Sequence, residues 1–575
     1  MYSVEKRDGK IVNFDLTKIK NAITKAFDAC EIQYHPDTVD FLVLKVTADF
    51  EPKVKNGTVS VENIQDSVES VLIKAGYDSV AKAYILYRKQ REKIRNLNST
   101  LVDYKEIVDN YLHSIDWRVK ENSTVTYSVG GLILSNSGAI TANYWLSEVY
   151  DEEIGNAHRN ADIHIHDLDF FHLTTTCCQI DLGKLLKNGF NTGHGYLRVP
   201  NSIGSAAALA AIAIQSNQND QHGGQSIPAF DYGLAQYVGR SYIKNLKKVL
   251  EVMGVNENAE YKTIIEDLES CHADGGSVLD LVKSNYGGRS FDMAMEWTEK
   301  DTFQAMEGFI HNLNTMHSRA GAQVPFSSIN YGTDTSPEGR MVIRNVLLAQ
   351  EAGLGKGETP IFPIHIFKVR SGYSRRKEDP NYDLFKLSCR VSAKRLFPNF
   401  SFMDTPFNAQ YLKGSDPDHE VAYMGCRTRV MANRYDPEHE TTFGRGNLSF
   451  TSINLPRLGL KHKGDIDGFF AELDRMMELV FRQLLERLEA QGTRLVRNAP
   501  FLMKQHVWKD SEKLKDTDTI DEVLKHGTLT VGFIGLAECL VAMIGQHHGE
   551  SKYAQELGLK IVGHMRELCD QKGEE

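Results

Sequence analysis

Long apolar runs are what this sequence most plainly lacks. The best candidate, SAAALAAIAI at 205–214, has about half of the ~20 residues a membrane-spanning helix needs. The opening MYSVEKRDGK is polar and charged where a signal peptide would be apolar. A basic surplus is missing too. With 66 Lys and Arg against 76 Asp and Glu, the net charge is -10, which argues against bulk binding of nucleic acid or of an anionic membrane and leaves room only for a local basic pocket. Cysteine is sparse and never arranged as Cys-x-x-Cys: there are eight, at 30, 177, 178, 271, 389, 426, 539 and 569. A cytoplasmic location is expected, with the thiols reduced and most of them small buried apolar side chains.

What is present is a 575-residue chain, 41% hydrophobic and 25% charged, too long for one ordinary core, so two or more domains are expected. Residues 1–92 read as a module of their own. Residues 1–14 suggest a hairpin turning at Asp8-Gly9. Asp15 is placed to cap a helix bearing Leu16, Ile19, Ile23 and Phe27. Ser60 is placed to cap another bearing Val61, Ile64, Val68 and Leu72, which Gly76 stops, and a third begins near Asp78. Lys6, Arg7, Lys10, Lys18 and Lys20, joined by Arg88 and Lys89, form a basic cluster. A solvated face is the ordinary reading of any one of these residues; their order is more specific. Val4-x-Lys6-Arg7-Asp8-Gly9, Phe14-Asp15, Lys18-Ile19-x-x-Ala22-Ile23 and Ala83-Tyr84-Ile85-x-Tyr87-Arg88 resemble the ATP-cone, a regulatory ATP/dATP-binding domain of a hairpin and four helices. The resemblance implies that Lys6, Arg7 and Lys18 bind the phosphates of ATP or dATP, with Mg, and that Arg88 lies close by. A triphosphate wants convergent cationic donors, and guanidinium adds bidentate geometry.

Residues 93–120 are polar, with weak helical periodicity, and read as a linker. From 121 to 575, short β-rich runs (ADIHIHDL, TPIFPIHIFKV, NLSFTSINLP) alternate with long helical stretches (AAALAAIAIQSNQ, FFAELDRMMELVFRQLLERLEA). That is the pattern of an α/β fold with parallel strands, long enough for a large barrel. His164-x-His166-Asp167 puts two imidazoles on one face of a strand, which suits either a metal site or histidines hydrogen-bonded within a packed strand. The first option seeds an alternative function, a metal-dependent hydrolase on an α/β barrel. It is weakened by the scatter of the other candidate ligands, and no residue is assigned to a metal.

Three further segments carry more. Thr176-Cys177-Cys178-Gln179-Ile180-Asp181-Leu182, Met424-Gly425-Cys426-Arg427, and Gly446-Asn447-Leu448 with Ile453-Asn454-Leu455-Pro456 resemble the core of anaerobic (class III) ribonucleotide reductases, as does the histidine segment 158–170. The segment 317–326, HSRAGAQVPF, matches as well and is expected on a barrel strand. The resemblance implies a ten-stranded α/β barrel around a central finger loop, preceded by the small, mainly helical cone. Cys426 would sit at the loop tip as a transient thiyl that takes the 3′-hydrogen of a ribonucleoside triphosphate, which acid–base side chains cannot do. Cys177, on the first strand, would return a hydrogen atom to the 2′ position. Cys178 is its adjacent competitor, and the family's Cys-x-x-x-x-Leu spacing (177 to 182) selects Cys177. Asn447 stands where dithiol-dependent reductases carry a redox cysteine, which implies formate as the reductant, held in part by the Asn447 amide.

The same resemblance implies a glycyl radical, a separate radical-SAM activase, a homodimer or higher oligomer, and no nucleic-acid or membrane partner. Cys389 lies in a helical pattern and is expected in the core; Cys30, Cys271, Cys539 and Cys569 are expected to be structural. The family's radical glycine and four-cysteine zinc site lie C-terminal, and the final stretch GLKIVGHMRELCDQKGEE contains neither. Residues 1–575 are therefore expected to bind nucleotides without turning over. A catalytically silent nucleotide sensor that uses only the cone is the other alternative, and it leaves 121–575 unexplained.

Overall fold

A computed structural model describes residues 3–6, 10–30, 32–55, 57–89, 128–170, 174–425 and 428–574. The chain forms two compact units, Met1–Ile107 and Val108–Glu575. Arg7, the Asp8-Gly9 turn, the 93–120 linker, Cys426 and Arg427 lie outside the described residues.

In the first unit, β1 (Ser3–Glu5) pairs antiparallel with β2 (Ile11–Asn13), Val4 opposite Val12. A third strand, β3 (Thr58–Ser60), joins β1 in parallel from the other side; the hairpin pattern alone does not foresee it. The helices are Leu16–Ala29, Pro36–Phe50, Val61–Lys74 and 78–89. Asp15 accepts from the Thr17 N–H at 3.0 Å and Ser60 from the Asn63 N–H at 3.2 Å, so both sequence-assigned caps form. The helix Pro36–Phe50 is missing from the sequence reading because it is apolar on two faces. It buries Val39, Leu42, Val43, Val46 and Phe50 while exposing Phe41 and Leu44, which blurs the helical period. The core of this unit gathers Ile23, Phe27, Val46, Phe50, Leu72 and Val80.

The second unit is built on two sheets. β4 (Ile163–Ile165) is followed by β5 (Cys178–Gln179), the small hairpin β6 (Phe190–Asn191) and β7 (Tyr196–Leu197), then β8 (Gln225–Ile227), β9 (Ser327–Tyr331), β10 (Ile364–Val369) and β11 (Asn399–Phe402). β12 (Asn447–Asn454) and β13 (Thr528–Ile534) close the series. The order β5-β8-β9-β10-β11 is parallel throughout, and each new strand is added beside the last. With crossovers of one hand, a sheet that always advances in one direction places its helices on one face. Helices Ile203–Asn217, Phe230–Val252, Arg289–Thr315 and Pro337–Ala352 supply the large apolar core there. In the second sheet, β13-β12-β4, β12 is parallel to β13 and antiparallel to β4. Helix Ile466–Gly492 packs on it over Ile163, Ile165 and Ile453.

The α/β expectation is met. Among the described residues these two sheets hold five and three strands, so the ten strands of a closed barrel are not all present in them. The segment 317–326 is not a strand. Arg319 and Gln323 bridge a tight turn with Gly321 at φ 77° and Ala322 at φ 56°, and β9 begins only at Ser327. Cys389 is on a helix, Tyr382–Arg395, as its pattern suggested, but it is exposed; Leu384, Ser388 and Val391 are the buried positions of that helix. No helix among the described residues is long and apolar enough to cross a membrane.

Because the cone has its own core, damage to that core should stay within it. Phe27 is fully buried against Tyr34 and Tyr77. Phe27→Ala should cost about 3–5 kcal/mol and lower the first of two calorimetric unfolding transitions while leaving the second in place. A single transition shifted as a whole would show that the two units do not unfold independently.

Candidate active site

The pleat of the parallel sheet sorts the two neighbouring cysteines. Registered pairs Cys178–Gln225, Gln225–Ser327 and Ile227–Ile329 point towards the helices, while Gln179–Ser226, Ser226–Ser328 and Asn330–Ile366 point the other way. Adjacent residues of a strand face opposite sides, so Cys177 shares the face of Gln179, Ser226, Ser328 and Asn330. Cys178 is fully buried in the helix-side core, where burial pushes its thiol far above its ordinary pKa. Cys177 instead packs with Met424 and Val430 in a small separate cluster.

Those two residues belong to the limbs of a loop that lies across the non-helical face. The Met424 N–H donates to the Thr428 carbonyl at 2.8 Å, which ties the two limbs together. Cys426 itself lies outside the described residues. Gly425 sits so close to Phe326 that a Cβ there would come within 2.6 Å of the ring. The returning limb is tied down by Arg445. This fully buried guanidinium donates to the carbonyls of Met431, Ala432, Thr441 and His526. Burial lowers its pKa to about 10.

Asn447 begins β12 immediately beside Cys177. Its carbonyl accepts from the N–H groups of Thr176 at 3.2 Å and Cys177 at 3.0 Å, and the Gln179 N–H donates to the Arg445 carbonyl at 2.8 Å. These bonds join the two sheets. They require Gly446, because a Cβ there would stand 1.8 Å from the Cys177 carbonyl oxygen. The Asn447 side chain is buried, and its Oδ1 has no hydrogen-bond partner among the described residues. An unmet acceptor of this kind wants a donor such as a hydroxyl, and a small carboxylate would use the same side chain's Nδ2–H instead.

The histidines lie elsewhere. His164 and His166 share one edge of β4, with ring centroids 4.5 Å apart, and His158 is 5.5 Å from His164. His158 Nδ1 accepts from the Ile165 N–H, and His166 Nε2 meets Ser452 Oγ at 2.9 Å. Burial, reinforced by the neighbouring imidazoles, lowers the pKa of His158 and of His166 to about 4. No group of three or more His, Cys, Asp or Glu among the described residues is arranged to hold a metal. Sequence reasoning missed the buried His222. It bridges Thr174 Oγ1 at 2.8 Å and Asp167 Oδ2 at 3.1 Å, on the chain segment that leads into Cys177. Burial works against Asp167 ionising, but the facing His222 wins and holds its carboxyl far below the usual range.

In the cone, Lys6 and Lys18 are at least partly exposed. The Arg88 guanidinium meets the carboxylates of Glu62, Asp66 and Glu69, the last two at 2.7 and 2.8 Å. Burial alone would lower its pKa, but the three acids raise it well above the ordinary value. It ties helix 78–89 to helix Val61–Lys74.

Comparison with known proteins gives the family and the fold. Residues 121–575 match the family described as anaerobic ribonucleoside-triphosphate reductase, and residues 2–93 match the ATP cone domain. The anaerobic ribonucleoside-triphosphate reductases of Haemophilus influenzae and Escherichia coli K12 are each 29% identical, over 98% and 100% of this chain and 74% of their own length. The fold is also that of the anaerobic ribonucleotide reductase from Thermotoga maritima, solved in complex with dATP and CTP (TM-score 0.54, 13% identity, 84% of this chain and 74% of that one). The chain belongs to the anaerobic ribonucleoside-triphosphate reductase family and carries an ATP cone ahead of the reductase core.

Proposed function

We propose that this protein reduces ribonucleoside triphosphates to 2′-deoxyribonucleoside triphosphates, with Cys426 and Cys177 as the hydrogen-atom acceptor and donor and with ATP or dATP acting through the cone. The observation that supports this reading is the packing of Met424 and Val430, which flank Cys426 in sequence, against Cys177. A glycyl radical, generated by a separate radical-SAM activase, supplies the oxidising equivalent that makes Cys426 a thiyl. Cys426 takes the 3′-hydrogen atom of the ribose, and the 2′-hydroxyl leaves with a proton as water. The Cys177 thiol then gives a hydrogen atom to C2′. Formate closes the balance: its hydrogen atom restores the Cys177 thiol, its remaining electron and a proton from solvent reduce the 3′-keto group as carbon dioxide leaves, and Cys426 returns its hydrogen atom to C3′ and is a thiyl again. Asn447, beside Cys177, hydrogen-bonds the reactants and keeps them oriented for these transfers. The buried surroundings protect a radical from side reactions. The working assembly is a homodimer or higher oligomer.

In the radical-loaded enzyme, Cys426→Ser should abolish tritium release from 3′-labelled substrate, because the radical does not move onto the stronger O–H bond. Cys177→Ser should still release tritium but yield no deoxynucleotide, whereas Cys178→Ser, on the helix side, should retain turnover. Deoxynucleotide formation by Cys426→Ser would refute the assignment, and an inactive Cys178→Ser beside an active Cys177→Ser would exchange the two neighbours. Turnover should also depend on formate; full activity with thioredoxin alone would overturn the role given to Asn447.

For the cone, Lys6, Arg7 and Lys18 supply the phosphate contacts, with Mg. Lys18→Glu should weaken ATP and dATP binding by roughly tenfold or more, the scale of losing one charge-assisted contact and adding repulsion. Calorimetry on the folded variant checks this, and unchanged affinity would exclude Lys18 from the site.

A further inference from the structure

Residues 420–424 lie over the sheet without joining its ladder, so their register has to be set by side chains. Two attachments do this on the outgoing limb. The first is Asn330 of β9, whose side-chain amide grips one residue's backbone from both sides. The Tyr423 N–H donates to Asn330 Oδ1 at 2.8 Å, and Asn330 Nδ2 donates to the Tyr423 carbonyl at 2.9 Å. Ser226 Oγ of β8 adds a bond to the same carbonyl at 3.1 Å. This reproduces the two-way exchange of an antiparallel bridge with a side chain in place of a strand. The second attachment is Glu420, three residues earlier and fully buried. One of its carboxylate oxygens accepts from Lys368 Nζ at 3.1 Å and Thr333 Oγ1 at 2.7 Å, and the other from Arg370 Nη1 at 3.1 Å. Lys368 is itself 1% exposed, and the buried Asp231 and Asp334 lie in the same charged neighbourhood.

We infer that Asn330 and the Glu420–Lys368–Arg370 group are positioning residues for the reaction: they fix the register of loop residues 420–424 over the sheet, and so fix what stands opposite Cys177. Neither touches the reacting atoms; both act through the loop. The inference rests on the reading of Cys426 and Cys177 above. Met424 is one residue beyond the Asn330 clamp and packs on Cys177, so a slip at Tyr423 is passed on directly. A displacement of about 1 Å at a reacting group can cost on the order of 100-fold in rate. Substrate contacts made elsewhere would be unaffected, so the loss belongs in kcat and not in KM.

The test uses the radical-loaded enzyme. Asn330→Asp keeps the acceptor for the Tyr423 N–H but sets a carboxylate oxygen against the Tyr423 carbonyl. Lys368→Met removes one of the three donors to Glu420 and serves if Asn330→Asp does not fold. The expected result is a fall in kcat per glycyl radical, counted by electron paramagnetic resonance, of about 10- to 100-fold, with the KM for the triphosphate within about twofold. A 3′-deuterium isotope effect should grow, because hydrogen transfer becomes rate-limiting. A lowered melting temperature with unchanged kcat per radical and unchanged isotope effect would reduce these residues to a structural role and overturn the inference. Cys426→Ser is assayed alongside. If it turns over, the loop reading and this inference fall together; if it is inactive while Asn330→Asp and Lys368→Met behave as wild type, only the inference falls.

Discussion

The large unit depends on one backbone contact, the close approach of residue 446 to the carbonyl of Cys177. Any side chain at 446 would occupy the space of that oxygen, since even a Cβ would lie 1.8 Å away. The glycine lets the chain at 444–447 pass beside residues 176–179, and the Asn447 carbonyl then accepts from Thr176 and Cys177 together. Two sheets with helices packed against each are thereby joined at the strand that carries the cysteine. The same junction sets Asn447 beside Cys177 without any side-chain contact being needed. Moving β12 away by the width of a methyl group would break the Cys177 and Asn447 backbone bonds at once.

The second constraint is the polarity of the sheet's open face. Ser226, Ser328, Asn330, Lys368 and Ser401 all point to it and all are buried. An apolar layer laid over these groups would strand them, at about 1–3 kcal/mol each. For Ser226, Asn330 and Lys368 the loop residues 420–424 answer this with main chain and charge, while Ser401 Oγ meets Met403 Sδ and Ser328 Oγ has no partner among the described residues. The loop offers the Tyr423 backbone to Asn330 and Ser226, and Glu420 to Lys368. Removing one member of such a buried ion pair typically costs about 3–5 kcal/mol, because the other charge is left uncompensated. The return limb is held by a buried arginine that donates to four carbonyls. The loop is therefore fastened at both limbs, and near its turn it presents the apolar groups Met424 and Val430, which are the ones that reach Cys177.

Local signals in the sequence are readable wherever the physics is local. Asp15 and Ser60 cap the helices that their spacing indicates, and the runs around 364–369 and 447–454 are strands. The choice between Cys177 and Cys178 is less accessible, because a two-residue strand has too little alternation to show its faces; registered pairing across four neighbouring strands resolves which way each one points. The segment 317–326 misleads for a related reason. Val324, Pro325 and Phe326 look strand-like, but the preceding Gly321-Ala322 turn folds back before the ladder begins. Cys389 obeys its helical period yet falls on the outer face, which period alone does not distinguish from the inner one. Asn330, Glu420 and His222 carry no sequence signal, since each gains meaning only from partners more than 40 residues away.

Arg88 shows how such distant partners change a residue's chemistry. By position and type it belongs with the phosphate-binding cations of the cone. In the fold it is surrounded by Glu62, Asp66 and Glu69 from a single helix. Three acids around one guanidinium hold it firmly charged and in place. Lys6 and Lys18, early in the domain's sequence, reach solvent. Arg88 acts as a fastening between the helices Val61–Lys74 and 78–89. Its charge meets three carboxylates of a neighbouring helix, and that contact holds helix 78–89 in place within the domain.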